Sequence, residues 1–161
     1  PIYLNLKIIA LSEKNKKPRS ETFEISEDDR GVFVPFLKDA NQLKDNGLSI
    51  KRVYYVYNHA KNIVRGFHFH KIEWKYFIVA SGAAKIVAIN PEKPKERFIF
   101  ISSSRKSNLV IIPPGFANGW ISLEDNTILI CCSTSSIEES IKDDARYDPY
   151  KWGDVWKVKG R

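Results

Sequence analysis

The chain has 161 residues, a length typical of one domain that buries roughly two thirds of its unfolded surface. Its apolar fraction of 43% and aromatic fraction of 12% exclude an intrinsically disordered protein. No apolar run approaches the about 20 residues of a membrane span, and the first residues lack the pattern of a signal peptide. We therefore expect a single domain over residues 1–161, located in the cytoplasm.

The net charge is +7, from 26 basic and 19 acidic side chains. An excess of this sign favours an anionic partner such as a phosphate, a nucleotide or a nucleic acid. Much of the charge lies in the loop-like segments "EKNKKPR" and "NPEKPKER", whose lysines could instead simply keep the protein in solution. Composition alone leaves both interpretations open.

Short β-like segments dominate the chain and begin at its first residues. In "IYLNLKII", apolar residues alternate at Ile2, Leu4, Leu6 and Ile8, which is the period of a half-buried strand. Further strands are predicted for segments rich in Val, Ile, Tyr and Phe: "KRVYYVYN", "NIVRGFHFH", "KYFIVASG", "AAKIVAIN", "RFIFIS", "NLVIIPP", "NGWISL" and "NTILICCS". Tight turns are predicted at "SGAAK" and "PPG".

Two segments have a helical pattern, "KDANQLKDN" and "SIEESIKDDA", and both are short. The sequence therefore predicts an all-β fold, a sandwich or barrel, with a short C-terminal helical or irregular segment. The adjacent Cys131 and Cys132 lie in an apolar run and are predicted to be buried strand residues. They cannot form an ordinary disulfide with each other without severe strain.

The two histidines of "RGFHFHK" are the first candidate for chemistry. His68 and His70 are two residues apart, so in a strand their side chains point to the same side. That geometry suits a metal centre, and it is equally the geometry of two ordinary buried histidines. From the His-x-His pattern alone, we favour ordinary burial over metal ligation.

A strand-rich chain with His-x-His, a later glycine and a Pro-x-Gly turn resembles the cupin superfamily of double-stranded β-helix, or jelly-roll, barrels. In metal-binding cupins the first motif continues with a glutamate and a glycine, and the second motif ends with a histidine. This chain has Lys75, Gly82 and Asn118 at those positions. The resemblance thus implies a jelly-roll barrel in which two of the four metal ligands are replaced.

Lys75 changes the chemistry that such a pocket supports. An ammonium group beside a divalent ion in a low-dielectric pocket costs several kcal/mol or loses its proton. A lysine that shares a pocket with His68 and His70 is instead suited to stabilise an oxyanion such as an enolate. We therefore expect no bound metal and no cofactor. A metal-dependent cupin that uses the two histidines with other ligands is the alternative.

Several segments carry a closer resemblance. "DRGVF" contains Arg30 and Phe33, and "RGFH" contains Arg65 and His68. Both resemble motifs of the dTDP-4-dehydrorhamnose 3,5-epimerases and the related WxcM-like sugar nucleotide 3,4-ketoisomerases, with similarity over residues 27–156. The resemblance implies that Arg30 and Phe33 contact a nucleotide. It also implies that Arg65 holds a phosphate and that His68 is the general base.

The second half of the chain extends this resemblance. Lys75 lies seven residues before Gly82, where the epimerases place their pocket lysine. "IPPGFANGW" resembles Ile-Pro-Glu-Gly-Phe-Ala-His-Gly-Phe, which implies that Asn118 and Trp120 line the substrate site. "RYDP" resembles a Trp-x-Asp-Pro region whose aspartate orients the base, which implies that role for Asp148. For the aromatic residues, simple core packing is an equal alternative.

Other positions mix features of the two groups of enzymes. Ser135 and Ser136 align with the tyrosine that is the general acid of the epimerases, and a serine is a far weaker proton donor than a phenol of pKa about 10. At His70 the chain instead resembles the ketoisomerases, which have the motif Arg-Gly-x-His-x-His-Lys. The epimerases have a glutamine at the position of His70. The residue that returns the proton is left open among Tyr54, Tyr57 and His70.

The implied reaction begins when a base removes a proton from the carbon next to a ketone. A histidine, with an ordinary pKa of about 6.5, suits this step. Asp148 would hold the ring of His68, and Lys75 would meet the charge on the ketone oxygen. We predict a metal-independent isomerase of a nucleotide-linked 4-keto-6-deoxyhexose, in the first instance a dTDP-linked one. The predicted activity is that of a 3- or 3,5-epimerase of deoxysugar biosynthesis.

Two other functions are compatible with the same residues: a dTDP-sugar 3,4-ketoisomerase and a non-catalytic cupin that binds a sugar nucleotide. The implied ligand is a nucleotide sugar, not a nucleic acid or a membrane. The resemblance also implies a homodimer in which Arg30 and Phe33 reach the pocket of the neighbouring copy.

Overall fold

The computed structural model describes residues 16–37, 43 and 48–159. The strand predicted for residues 2–8 lies outside the described residues, as does most of the helical segment "KDANQLKDN", of which Leu43 alone is described. In the described part of the chain, no helix is both long and apolar enough to span a bilayer.

Twelve strands and one helix have both ends within the described residues. They are β1 (Arg19–Glu21), β2 (Ser26–Asp28), β3 (Gly31–Phe33), β4 (Arg52–Asn58), β5 (Val64–Phe69), β6 (Lys75–Ser81), β7 (Ala83–Ile89), β8 (Arg97–Ser103), β9 (Leu109–Ile112), β10 (Ala117–Ser122), β11 (Thr127–Ser133), α1 (Ile137–Asp143) and β12 (Ala145–Arg146). The predicted all-β class is therefore confirmed, and the short helix falls within "SIEESIKDDA".

Two five-stranded antiparallel sheets form the barrel. The first sheet has the order β1-β9-β6-β11-β4, the second has the order β12-β5-β10-β7-β8, and β2 and β3 form a separate hairpin. Apolar side chains from both sheets fill the barrel interior, among them Phe77, Val79, Ile86, Val110, Phe116, Trp120 and Leu129. These side chains come from alternate strand positions, as expected for strands with one face toward the core.

The outward faces of the central strands of both sheets are also covered. Residues of the N-terminal half, including Phe23 and Leu48, pack on Tyr76 and Ile111 of the first sheet. The C-terminal tail places Trp156 on Phe67 of the second sheet, with 4.9 Å between the ring centroids. Because the central strands are covered on both faces, they are largely apolar on both sides, and strict alternation is lost in strands such as β9. The edge strands β4 and β8 keep the alternation and expose their outward positions.

The local signals in the sequence have clear structural outcomes. Gly82 forms the tight turn of "SGAAK" with φ +71°, and a Cβ at this position would lie 2.5 Å from Thr127 Oγ1.

A capping box begins α1, because Ser136 and Glu139 each accept a hydrogen bond from the backbone N–H of the other. Cys131 and Cys132 are both buried and free, and they belong to different apolar clusters on opposite faces of β11.

Candidate active site

At one end of the barrel, polar side chains replace the apolar interior. Along β6 the inward positions change from Val79 and Phe77 to Lys75, and along β11 they change from Cys131 to Ser133. Ser133 is the register partner of Lys75 on one side and of Arg52 on the other. We call this region the polar end of the barrel.

His68 and His70 meet at a single carboxylate oxygen of the polar end. His68 Nδ1 lies 3.0 Å from Asp144 Oδ1, and His70 Nε2 lies 3.5 Å from the same atom. The side chain of His68 is 38% exposed, whereas that of His70 is only 4% exposed. One imidazole is therefore open to a ligand, and the other is enclosed by protein.

The carboxylate beside His68 is Asp144, four residues before the aspartate expected in that role. Asp144 follows α1, and the next two residues form β12, whose Arg146 is the register partner of His68. Asp148 lies in the following turn, where its Oδ1 accepts a hydrogen bond from Tyr150 N at 2.7 Å. The pairing of the short strand β12 with β5 thus brings Asp144 to the ring of His68. The motif "RYDP" did not predict that strand.

Asp144 has the electrostatics of an ionised partner. Burial raises its pKa, but hydrogen bonds from Arg146 and His68 more than offset burial and leave the pKa below its usual value. Arg146 Nε donates to Asp144 Oδ2 at 2.9 Å, so the two carboxylate oxygens serve different partners. The carboxylate is therefore suited to stabilise a protonated imidazole at His68.

Glu73 lies in the loop between β5 and β6, and its side chain is fully buried. It accepts hydrogen bonds from Ser133 Oγ at 2.5 Å, from Ser140 Oγ at 2.8 Å and from Arg52 Nη2 at 3.0 Å. His70 Nε2 lies 3.0 Å from its Oε2. Glu73 was not among the predicted site residues; the signal in the sequence is an acidic residue three positions after His70.

Lys75 is buried at the polar end, with 6% of its surface exposed. Within the described residues, it has no hydrogen-bond or ion-pair partner. Burial and the positive charge of Lys75 together hold the pKa of His70 below its usual value, against the opposing carboxylates of Glu73 and Asp144. A buried ammonium group without a partner is suited to meet a negative ligand atom.

Arg65 and His68 share a face of β5 although they are three positions apart, an odd spacing that would put them on opposite faces of a regular strand. Arg65 is the register partner of Trp120 and His68 of Asn118, with a register shift between them that restores the common face. Arg65 Nε donates to Asn58 Oδ1 at 2.6 Å, so its guanidinium lies toward the opposite end of the barrel from His70.

The other residues expected on β10 have structural contacts. Asn118 is buried, and its Nδ2 donates to the backbone oxygens of His68 at 3.2 Å and Phe116 at 3.1 Å. Trp120 is 5% exposed and belongs to the interior core. Asn118 therefore holds β10 to β5 beside His68, while Trp120 packs in the core of the barrel.

Arg30 and Phe33 are not brought to His68 within one chain. They belong to the β2–β3 hairpin, which forms a sheet of its own. Phe33 is 67% exposed, and Arg30 is ion-paired with Asp28.

The donor set at the polar end does not suit a divalent ion. Among the described residues, no three His, Cys, Asp or Glu side chains are grouped so that they could hold a metal. His70 Nε2 already faces Glu73, and Lys75 occupies the position of the cupin glutamate.

Comparison with known proteins assigns the chain to a family. Residues 16–152 match the family described as "FdtA: WxcM-like, C-terminal". The chain belongs to this family. The assignment confirms the resemblance found in the motifs, and no match was found among curated proteins.

Solved structures share the fold at low sequence identity. The RmlC epimerase of Mycobacterium tuberculosis superposes with a TM-score of 0.75 at 19% identity, over 86% of this chain and 74% of that chain. ChmJ, a 3'-monoepimerase from Streptomyces bikiniensis in complex with dTDP-quinovose, gives 0.74 at 18% identity, over 89% and 79%. QdtA, a sugar 3,4-ketoisomerase from Thermoanaerobacterium thermosaccharolyticum in complex with TDP, gives 0.63 at 23% identity, over 81% and 88%. The fold is therefore the RmlC-like cupin jelly roll, as predicted.

Proposed function

We propose that this WxcM-like protein is an isomerase of a nucleotide-linked 4-keto-6-deoxyhexose and that it acts through an enolate. The observation that carries the proposal is a half-exposed histidine held by a carboxylate, His68 with Asp144. The same carboxylate lies beside His70, whose pKa the buried Lys75 helps to lower. The similarity of the fold to structures with bound dTDP-quinovose and TDP supports a nucleotide sugar as the substrate.

His68 is the proposed general base. Its Nδ1 faces Asp144, so Nδ1 carries the proton of the neutral ring and Nε2 holds the free lone pair. In the reaction, Nε2 takes the proton from carbon 3, next to the ketone at carbon 4. Asp144 then stabilises the imidazolium that forms, as carboxylates do in other His–Asp pairs.

Lys75 is the proposed electrophile. As the carbon–hydrogen bond breaks, its electrons form the carbon 3–carbon 4 double bond and the ketone oxygen becomes an oxyanion. The buried ammonium group of Lys75 stabilises that charge. A well-aimed donor in a buried site contributes about 3 to 4 kcal/mol to such a step.

The arrangement of the two imidazoles favours 3,4-ketoisomerisation. His68 returns its proton to carbon 4 of the enediolate, and His70 transfers the hydroxyl proton from oxygen 3 to oxygen 4. The ketone thereby moves to carbon 3, and both histidines end neutral. This requires two proton carriers side by side, and His68 and His70 both contact Asp144 Oδ1.

Epimerisation at carbon 3 is the second candidate, because Lys75 occupies the position of the epimerase pocket lysine. Epimerisation needs a proton donor on the opposite face of the sugar. Of the two serines aligned with the epimerase tyrosine, Ser136 is the N-cap of α1 and Ser135 donates its backbone N–H to Ser133 Oγ. Neither presents a phenol to the pocket, which is why we place this activity second.

Incubation with dTDP-4-keto-6-deoxyglucose in deuterated water, followed by NMR of the product, tests the proposal. Deuterium at carbon 4 with a carbonyl at carbon 3 would establish ketoisomerisation. Deuterium at carbon 3 with inversion there would establish epimerisation, and a second label at carbon 5 would make it a 3,5-epimerase. Tight dTDP binding without any exchange would identify a non-catalytic binder and contradict the proposal.

We further propose that the active form is a homodimer whose hairpins complete the nucleotide site. Phe33 and Arg30 lie on an exposed hairpin, which leaves them available to a second copy. A guanidinium suits a diphosphate because it makes bidentate contacts with phosphate oxygens. Light scattering should give twice the chain mass, and Phe33→Ala should raise KM without lowering kcat. A monomer with full activity would contradict this arrangement.

A further inference from the structure

Among the described residues of the polar end, Glu73 is the buried carboxylate with the most hydrogen-bond partners. Its Oε1 accepts from Arg52 Nη2 and Ser133 Oγ, and its Oε2 accepts from Ser140 Oγ and faces His70 Nε2. Three donors from β4, β11 and α1 therefore converge on two oxygens, beside the ring of His70. A buried carboxylate with this many partners has a fixed orientation.

The surroundings of the His70 ring determine which nitrogen carries its proton. Nε2 lies 3.0 Å from Glu73 Oε2, 3.5 Å from Asp144 Oδ1 and 3.4 Å from Ser140 Oγ. The hydroxyl of Ser140 already donates its hydrogen to Glu73, so toward His70 it offers only a lone pair. Every atom that faces Nε2 is thus an acceptor, and Nε2 must be the donor.

The other nitrogen of the His70 ring, Nδ1, is buried and has no hydrogen-bond acceptor or donor beside it within the described residues. With the proton on Nε2, Nδ1 bears an unused lone pair in a neutral ring. Burial and Lys75 favour this neutral form by lowering the pKa of His70.

We propose that Glu73 is a positioning residue that locks His70 in the Nε2–H tautomer, so that Nδ1 is the basic nitrogen of this ring. The tautomer assignment is independent of the reaction. A part for Nδ1 in the hydroxyl proton transfer rests on the proposed function and requires the bound sugar to reach this buried nitrogen. In that transfer the oxygen 3–hydrogen bond breaks, the proton moves to Nδ1, and the bond electrons form the new carbonyl. Nδ1 then gives the proton to oxygen 4.

Glu73→Gln should reverse the tautomer. The amide has one oxygen, and Arg52, a permanent cation that donates to Glu73 Oε1, is its strongest partner. The amide NH2 then occupies the place of Oε2 and donates toward His70 Nε2. That nitrogen becomes an acceptor, and the ring proton moves to Nδ1.

Nitrogen-15 NMR of labelled histidines near neutral pH reports this directly, because protonated and unprotonated ring nitrogens differ strongly in chemical shift. The chain has three histidines, so His59→Gln and His68→Asn spectra assign the signals. We expect His70 Nε2 to be protonated in the native protein and Nδ1 in Glu73→Gln. The control is Glu124→Gln, which removes an exposed carboxylate ion-paired with Arg105 and should leave the native tautomer.

A native spectrum with the proton on His70 Nδ1 would overturn the proposal, even if Glu73→Gln failed to fold. An unchanged tautomer in folded Glu73→Gln would overturn it as well. On the sugar nucleotide, Glu73→Gln should lower kcat by about 100-fold or more while KM stays constant, because a positioned proton carrier is worth at least that factor. If the native protein turned over no such sugar, the proposed function would fail, while the spectra would still decide the role of Glu73.

Discussion

The two ends of the barrel bury polar side chains in different ways. At the end opposite the histidines, Asn58, Ser122 and Thr127 are almost wholly buried, and all three are short and neutral. Asn58 Nδ2 donates to Ile63 O at 3.1 Å, and Thr127 Oγ1 donates to Glu124 O at 2.8 Å. These side chains close loops against the barrel, which is a structural role.

The polar end instead buries groups that carry or exchange charge. Glu73, Lys75 and His70 are each less than 7% exposed, and Arg52 Nε and His70 Nδ1 lack hydrogen-bond partners among the described residues. Buried charge costs far more than a buried hydroxyl such as that of Ser102, which also lacks a partner. The comparison teaches that buried polar side chains alone do not mark a catalytic site. The end of the barrel where chemistry is expected is marked by buried groups that carry charge.

The largest expected effect is that of His68→Asn, which removes the base of the polar end. Exchange of solvent deuterium into the sugar nucleotide should fall by about 1000-fold, within the range that a general base contributes. The matched control is His59→Asn, since His59 is exposed near the opposite end. Equal exchange by the two variants would remove the functional distinction between the ends.

Lys75→Met should separate function from stability. The turnover number should fall about 100- to 1000-fold because the oxyanion loses its donor. The free energy of unfolding should rise by about 1 kcal/mol, since methionine fills a similar volume without an unpaired buried charge. Thermal unfolding and steady-state kinetics on the same preparation check both effects, and a destabilised variant would mean that Lys75 is a structural residue.

Thr127→Val tests the opposite end of the barrel. The change keeps the shape of the side chain but removes hydrogen bonds to Glu124 O and to Ala83 O, the latter at 3.2 Å. The free energy of unfolding should fall by about 1 kcal/mol because the side-chain hydrogen bond is lost, while Ala83 O keeps its bond from Leu123 N. Urea unfolding measures this loss. Turnover at a temperature where the variant is folded should be unchanged, and a lower kcat would show that this end also serves the reaction.

The smallest expected effect is a pH dependence of stability from His70. Because its pKa is lowered in the folded protein, the unfolded chain binds a proton below pH about 6.5 that the folded protein does not. The free energy of unfolding should therefore fall as the pH drops below about 6.5, by at most about 1.4 kcal/mol per pH unit. The charged groups that act on His70 are Lys75, Glu73, Asp144 and Asp143.

Urea unfolding of the native protein, His70→Gln and His59→Gln at several pH values measures this slope. The slope should be reduced in His70→Gln and retained in His59→Gln. The carboxylate of Asp144 acts in a more acidic range, because its lowered pKa stabilises the fold above its usual 3.8 and this stabilisation is lost as the pH falls further. A slope near pH 6 that persists in His70→Gln would show that the enclosed imidazole is not its source.

The sequence predicted the features that depend on local periodicity. Alternating apolar residues indicated the strands, and the spacing of His68 and His70 placed both at the polar end because side chains of a strand alternate in direction. The pattern "SIEES" also contains the capping box of α1.

Features that depend on long-range register were not predictable in this way. Asp144 reaches His68 because β12 pairs with β5, across more than 70 residues of sequence. Arg65 shares a face with His68 because of a register shift that the regular period of a strand does not indicate. Glu73 lies in a loop, where neither period applies, and its importance follows from donors on three separate elements.

The close approach of β5 and β10 next to His68 has a practical consequence. A Cβ on Gly119 would lie 2.6 Å from Arg65 O, 2.8 Å from Gly66 Cα and 3.0 Å from Trp156 Cη2, so the indole rests directly on the two glycines. Trp156 Nε1 also donates to Pro149 O at 2.8 Å, which fixes the ring there. The tail that carries Trp156 therefore packs directly on β5 and β10, so a truncation or fusion that displaces this indole should disturb the pairing of the strand that carries His68.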